Sequence, residues 1–280
     1  MSLLTNLLRA YRVNASVYED ESGNAGAVGV NTGSPTTGTG DGGEDFLIYN
    51  GSTQSTKMAT PNPNFYVSDF TLAMRFKTTT VPATTNILVA LGSSTDNDPV
   101  FGFRGTGANS IGGWIRNDDA SKTNTPTTGL NAALYNGAER VAVLSYNAAT
   151  DEATIKELTL GLSASETWAK GGTAVAIDQL GMGAWPRPSP TYAAAGDTAW
   201  VATWDRLLTA QDEIDLAAAP WPFTAALSLT APDTVTHGVA TTATGALLST
   251  VNVTAGMTLE YGTVAIAQTA TYVDPDLNFT

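Results

Sequence analysis

The stretch FTLAMRFK, residues 70–77, sets Phe70, Leu72, Met74 and Phe76 in alternation with Thr71, Ala73, Arg75 and Lys77. A repeat of two places alternate side chains on opposite faces of an extended chain, so this segment reads as a strand with one face on a core. RVAVLSY, residues 140–146, alternates in the same way but is apolar on both faces, which predicts a central strand. The polar NAATDEA that follows it reads as a hairpin connection. Short strand candidates recur at 46–49, 57–59, 86–91, 100–104, 113–116, 154–160, 174–182 and 198–204, separated by turn residues. Many short strands at close spacing, with almost no helix, restrict the chain to an all-β antiparallel sandwich or jelly roll.

Composition narrows what such a sandwich can do. Charged residues make up only 14% of the 280, against 42% hydrophobic, so Thr, Ser, Asn and Gly must dress much of the surface. The 26 acidic and 13 basic residues leave a net charge of −13, with no basic patch of the size that phosphate binding requires. Nucleic acid is therefore excluded as a partner, while a divalent cation such as calcium is compatible with the charge. Absence of cysteine removes disulfides, thiolate nucleophiles and sulfur-ligated metals together. The opening MSLLTNLLRAYRV lacks the basic region and cleavage site of a secretory signal, and no stretch approaches the ~20 apolar residues of a membrane span. Synthesis in a cytoplasm and no membrane insertion are expected. Leu3, Leu4, Leu7, Leu8 and Tyr11 recur at helical spacing and predict a short N-terminal helix leading into a strand around Arg9–Val13. The Gly/Thr/Ser-rich residues 22–45 read as a loop.

Residues 199–221, AWVATWDRLLTAQDEIDLAAAPW, join a strand to a short helix. Trp200 and Trp204 fall on one face of the strand, Thr209 and Asp212 are spaced as a capping box, and Pro220 and Pro222 end the helix. The proline-rich APWPF marks a boundary, giving a domain over 1–221 and a second over 222–280. The second has the Thr/Val strands and Gly turns of a small immunoglobulin-like β unit, but is short for the ~100 residues of a full one. A β unit lacking strands exposes a sheet edge, and edges invite pairing with another chain.

Four stretches resemble the laminin-G-like, concanavalin A-like jelly-roll domains found in bacteriophage virion proteins and bacterial surface proteins. MSLLTNLLRAYRVNASVYEDESGN (1–24) is similar to that family's opening, DFLIYNGSTQSTKMATP (45–61) to its Asn-Gly-Ser segment, DFTLAMRFKTT (69–79) to its most recognisable strand, and AWVATWDRLLTAQDEIDLAA (199–218) to its closing strand and helix. The resemblance covers residues 1–221 and implies a jelly-roll sandwich whose end the helix caps. It departs at GAERVAVLSYN (137–147), where Glu139 and Arg140 stand in place of a Trp-His pair, and at ATIKEL (153–158), which lacks the usual Asn-Gly turn.

Catalytic chemistry is sparse. The single histidine, His237, reads as a turn residue, so no histidine-based triad or multi-histidine zinc site is available to the main domain. The Glu-x-Asp-x-x-Glu strand by which glucanases of this fold present two carboxylates is missing. A non-enzymatic protein is expected. Two acidic loops, at Asp96 and Asp98 and at Asp118 and Asp119, have the oxygen-rich character that calcium prefers. Trp185 and Tyr192, in the proline-rich loop GAWPRPSPTY, and Trp114 are candidates for stacking on a sugar ring. The resemblance implies a virion surface protein: a capsid decoration, head-spike or fibre component, self-associating as a trimer, with other virion proteins as partners. The rival reading is a carbohydrate-binding module or adhesin that recognises a cell-surface glycan.

Overall fold

The computed structural model describes residues 3–24, 26–62, 67–118, 121, 123–170, 177–187, 193–223, 258–261 and 264–267. Two compact units divide the chain, Met1–Pro222 and Phe223–Thr280. In the second, a hairpin pair at Thr258–Tyr261 and Val264–Ala267 is antiparallel. The rest of the expected immunoglobulin-like unit, His237 included, lies outside the described residues.

The first unit carries strands β1 (Leu7–Asn14), β2 (Val17–Asp20), β3 (Val30–Thr32), β4 (Thr36–Thr39), β5 (Asp45–Asn50), β6 (Ser55–Asn62), β7 (Phe70–Lys77), β8 (Ile87–Gly92), β9 (Val100–Gly105), β10 (Ile111–Arg116), β11 (Arg140–Asn147), β12 (Glu152–Glu157), β13 (Leu162–Thr167), β14 (Ile177–Met182) and β15 (Ala195–Trp204). One helix, α1 (Ala210–Ala218), follows them. Nine strands form a first sheet in the order β13-β12-β11-β7-β15-β1-β2, with β5 also beside β15 and β4 beside β5. Six form a second sheet in the order β10-β9-β8-β14-β6-β3. The fold is an all-β antiparallel sandwich, as the strand rhythm predicts.

Phe70, Leu72, Met74 and Phe76 of β7 meet Val89, Leu91, Phe101 and Phe103 of the second sheet in one core. Phe70 and Phe101 stand edge to face with centroids 5.2 Å apart. β11 is central, paired with β7 on one side and β12 on the other. The opposite face of β7 is not simply wet: Thr71 and Ala73 are buried, and only Arg75 and Lys77 reach outward. The reason is a cover laid over the outer face of the first sheet. Trp204 donates its indole N–H to the Leu3 carbonyl and Trp200 to the Pro220 carbonyl, at 2.7 and 2.8 Å. Thr71 donates to the Arg206 carbonyl at 2.7 Å, and the Arg75 guanidinium donates to the Ala219 carbonyl. The segment around α1 thus packs on the two tryptophans that the sequence places on one face.

The capping box forms as its spacing predicts: Thr209 accepts from the Asp212 amide, and Asp212 accepts from the Thr209 amide at 2.8 Å. Asp212 is fully buried, and Arg206 pairs with it at 2.7 Å. That pairing and the cap's hydrogen bonds outweigh burial and hold its carboxyl below the usual aspartate range.

Two expectations fail. Residues 3–6 form turns and β1 begins at Leu7, so a turn and a strand stand where the leucine spacing predicts a helix. Pairing with both β15 and β2 satisfies the backbone of Leu7–Asn14 on two sides, more than a helix of about three turns supplies for itself. The supposed loop 22–45 contains β3 and β4, whose polar Thr and Asn side chains hide their pairing with β6 and β5.

Candidate binding site

The aromatic residues singled out in the sequence pack into the protein. Trp114 and Trp185 lie with Ile87, Ala90 and Val100 in a second small cluster. Their strand neighbours Val89, Phe101 and Ile115 belong to the main core, so this cluster occupies the outer face of the second sheet. Trp185 is 1% exposed, with its ring 5.0 Å from that of Trp114 and its indole N–H given to the Pro99 carbonyl at 3.2 Å. Arg187 and Arg116 lie 4.4 and 4.9 Å from the Trp185 ring centre. The loop can lie flat because the floor beneath it is glycine: a Cβ on Gly92 would stand 2.4 Å from the Pro186 carbonyl oxygen, and one on Gly181 2.7 Å from that of Ala184. Neither described ring therefore offers an open face for a sugar. Tyr192 lies outside the described residues.

The same region uses the candidate calcium ligands for other purposes. Asp98 pairs with Arg116 at 3.1 Å, and Asp96 accepts the Asp98 amide at 2.9 Å. Asp118 follows β10, while Asp119 lies outside the described residues. Among the described residues no group of three or more His, Asp or Glu side chains is placed to hold a metal ion. One end of the second sheet thus gathers Asp96, Asp98, Trp114 and Trp185, with the indoles buried beneath arginine and Asp98 paired at the exposed rim.

An open polar cleft exists on the first sheet, at residues that no sequence motif singled out. Along β7 the outward side chain after Arg75 is Lys77, and across the ladder its partner is Asp197 of β15. On the other side Asp197 is paired with Ile48 of β5. These three, with Thr79, Thr80 and Gly137, wall a cleft of about 400 Å³. The half-buried Asp197 carboxylate accepts no hydrogen bond among the described residues, and its pKa is raised by burial, against the opposing pull of Lys77. Lys77 donates to the Thr39 carbonyl at 3.2 Å and sits 4.4 Å from the Phe46 ring centre, so its ammonium is anchored on one side and open on the other. Gly137, at a φ of 85° that favours glycine, leaves bare backbone at the rim.

The wall between this cleft and the α1 cover is a buried charge cluster. Arg75 bonds Glu139 and also pairs with Glu44 at 2.9 Å. The Glu139 carboxylate accepts the Asp41 amide at 2.6 Å. One guanidinium thus serves two buried carboxylates. Burial raises the pKa of Glu44, and its proximity to Glu139 adds to the rise, whereas hydrogen bonds from Asp41 and Arg75 outweigh burial and lower that of Glu139. Glu139 is accordingly a structural anchor.

A larger groove of about 640 Å³ runs between α1 and β12–β13. Its walls are mostly Leu, Ile and Ala, and its charges are satisfied: Lys156 pairs with Glu213 at 2.7 Å, and Glu157 accepts the amides of Thr159 and Leu160. It has volume, but its charged groups are spent on one another, whereas the Asp197 carboxylate of the smaller cleft is open to an incoming donor.

Among the described residues the first unit is a two-sheet antiparallel β-sandwich with an open polar cleft on its first sheet. Among solved structures the chain is similar to one described as the binding domain of botulinum neurotoxin DC in complex with SialylT, at a TM-score of 0.58 and 9% identity over 78% of this chain and 52% of that one. It is similar also to that domain in complex with rat synaptotagmin II, at a TM-score of 0.59, 9% identity and coverage of 76% and 51%. A third, described under cell entry of botulinum neurotoxin type C dependent upon interaction with two ganglioside molecules, matches at a TM-score of 0.58 and 8% identity, over 77% and 52%. The chain spans about half the length of these solved chains. No protein-family model and no curated protein sequence matches it.

Proposed function

We propose that the first unit is a non-catalytic glycan-binding domain and that the Lys77–Asp197 cleft is its binding site. The observation that carries this is Asp197: a half-buried carboxylate without a hydrogen-bond donor, in a cleft of about 400 Å³ whose rim supplies an ammonium and threonine hydroxyls. Its oxygens are open to water in the free protein, and a hydroxyl-bearing ligand can replace that water donor for donor. The likeness to domains described with SialylT and with ganglioside molecules, at 9% and 8% identity, supports a sugar as the ligand class and does not carry over which sugar. A glycan array probed with the full chain tests it: labelling of any sugar class that free sugar competes away supports the proposal, and a blank array at high micromolar protein overturns it.

Display on a virion, with trimerisation, rests on the sequence resemblance; none of the solved structures named above is described as a virion protein. Among the described residues no helix is long and apolar enough to cross a membrane.

A further inference from the structure

We infer that the Lys77–Asp197 cleft selects an uncharged sugar presenting two adjacent hydroxyls and discriminates against carboxylated sugars such as sialic acid. This rests on the glycan-binding proposal and narrows it to a ligand class. An ionised carboxylate is an acceptor only, so what satisfies Asp197 must donate. Two neighbouring ring hydroxyls can donate to its two oxygens, and their own oxygens remain free to accept. Lys77 supplies that complementary role, because its ammonium has three N–H donors and spends one on Thr39. Exposed Thr79 and Thr80 add hydroxyls on the loop side, and Ile48 gives the apolar patch that a sugar's C–H face requires.

Charge argues against an acidic ligand. Lys77 and Asp197 are cross-strand neighbours, so the cleft has no excess of positive charge with which to hold an anion. A sugar carboxylate seated on Lys77 would be brought against Asp197, and a net charge of −13 repels it at longer range. No described aromatic ring is open here for stacking: Tyr49 lines the cleft but is buried, and Phe46 is fully buried and overlain by Lys77. Hydrogen bonds to Asp197 therefore carry recognition, and one substitution should remove it.

The test compares neutral oligosaccharides, their sialylated forms on the same core and amine-bearing glucosamine oligomers, titrated against the full chain by calorimetry. The expected result is binding of neutral sugars, at least tenfold weaker binding of sialylated ones, and at least a tenfold loss on Asp197→Ala with an unchanged melting temperature. Asp197→Asn should narrow the gap between neutral and sialylated forms. Preference for sialylated or amine-bearing sugars, or full binding by Asp197→Ala, would overturn the inference while leaving glycan binding in place. Failure to bind any of the three would overturn both.

Discussion

The outer faces of the two sheets each bring a basic side chain up to an aspartate, and they treat the pair in opposite ways. On the second sheet Arg116 meets Asp98 at 3.1 Å, the guanidinium also leans on Trp185, and Trp185 spends its N–H on Pro99. On the first, Lys77 and Asp197 are register partners that form no ion pair, and Asp197 is left without a donor. The first arrangement uses its polar capacity internally; the second holds it in reserve. Aromatic residues in a proline-rich loop are thus buried in packing here, whereas the proposed site is marked by a carboxylate with no donor from the protein, above aromatic rings that are themselves buried.

The comparison breaks most visibly at the sealed end. Trp185→Ala should cost about 3–5 kcal/mol by emptying the second cluster, seen as a large fall in melting temperature, while the folded fraction keeps its glycan affinity. Lost affinity in folded protein would mean that the sealed end is the site. Next comes the wall: Arg75→Met leaves Glu44 and Glu139 buried without their cation, for about 3 kcal/mol. Because burial raises the pKa of Glu44, this variant should regain part of the loss in denaturant melts as pH falls through that raised value and the carboxyl takes up a proton. Thr209→Ala removes the helix cap and should cost about 1 kcal/mol, loosening the α1 cover and leaving the cleft intact.

The smallest effect on stability is the most diagnostic. The pKa of Asp197 is raised in the fold, so its ionised form is disfavoured there, and this penalty is lifted as pH falls through the raised value. Ligand binding needs the ionised form and should fade over that same window, above the range of an ordinary aspartate. The contribution of Asp197 to stability, read as the difference between the wild type and Asp197→Asn, and the affinity should therefore move in opposite directions on acidification, with Asp197→Asn melting at or slightly above the wild type. Parallel movement of the two in paired melting and titration series would show that Asp197 does not face the ligand.

Much of the sandwich is legible in the sequence because alternation is a local property. FTLAMRFK and RVAVLSY reveal their strands, and Thr209, Asp212 and Pro220 delimit the helix. β3 and β4 escape because their ladders are made by backbone groups under Thr, Asn and Gly side chains that carry no pattern. The leucines of β1 mislead because helical spacing and strand burial agree over so few residues. The cleft is invisible for a different reason: Ile48, Lys77 and Asp197 are far apart in the chain and meet only through the registers of β5, β7 and β15. The available signal was slight, a lone aspartate between Gly196 and the apolar run that begins at Ala199.

β15 is hydrogen-bonded to β1, β5 and β7, with Leu7 opposite Trp204. A strand at the heart of the first sheet is thus among its last to be synthesised. With translation at about 5–20 residues per second, β1 waits roughly 10–40 s for its principal neighbour, holding only the hairpin it makes with β2. Such distant pairing predicts slow folding, and a nascent chain that cannot close its sheet until the ribosome has delivered the segment whose tryptophans then lock both ends of the unit in place.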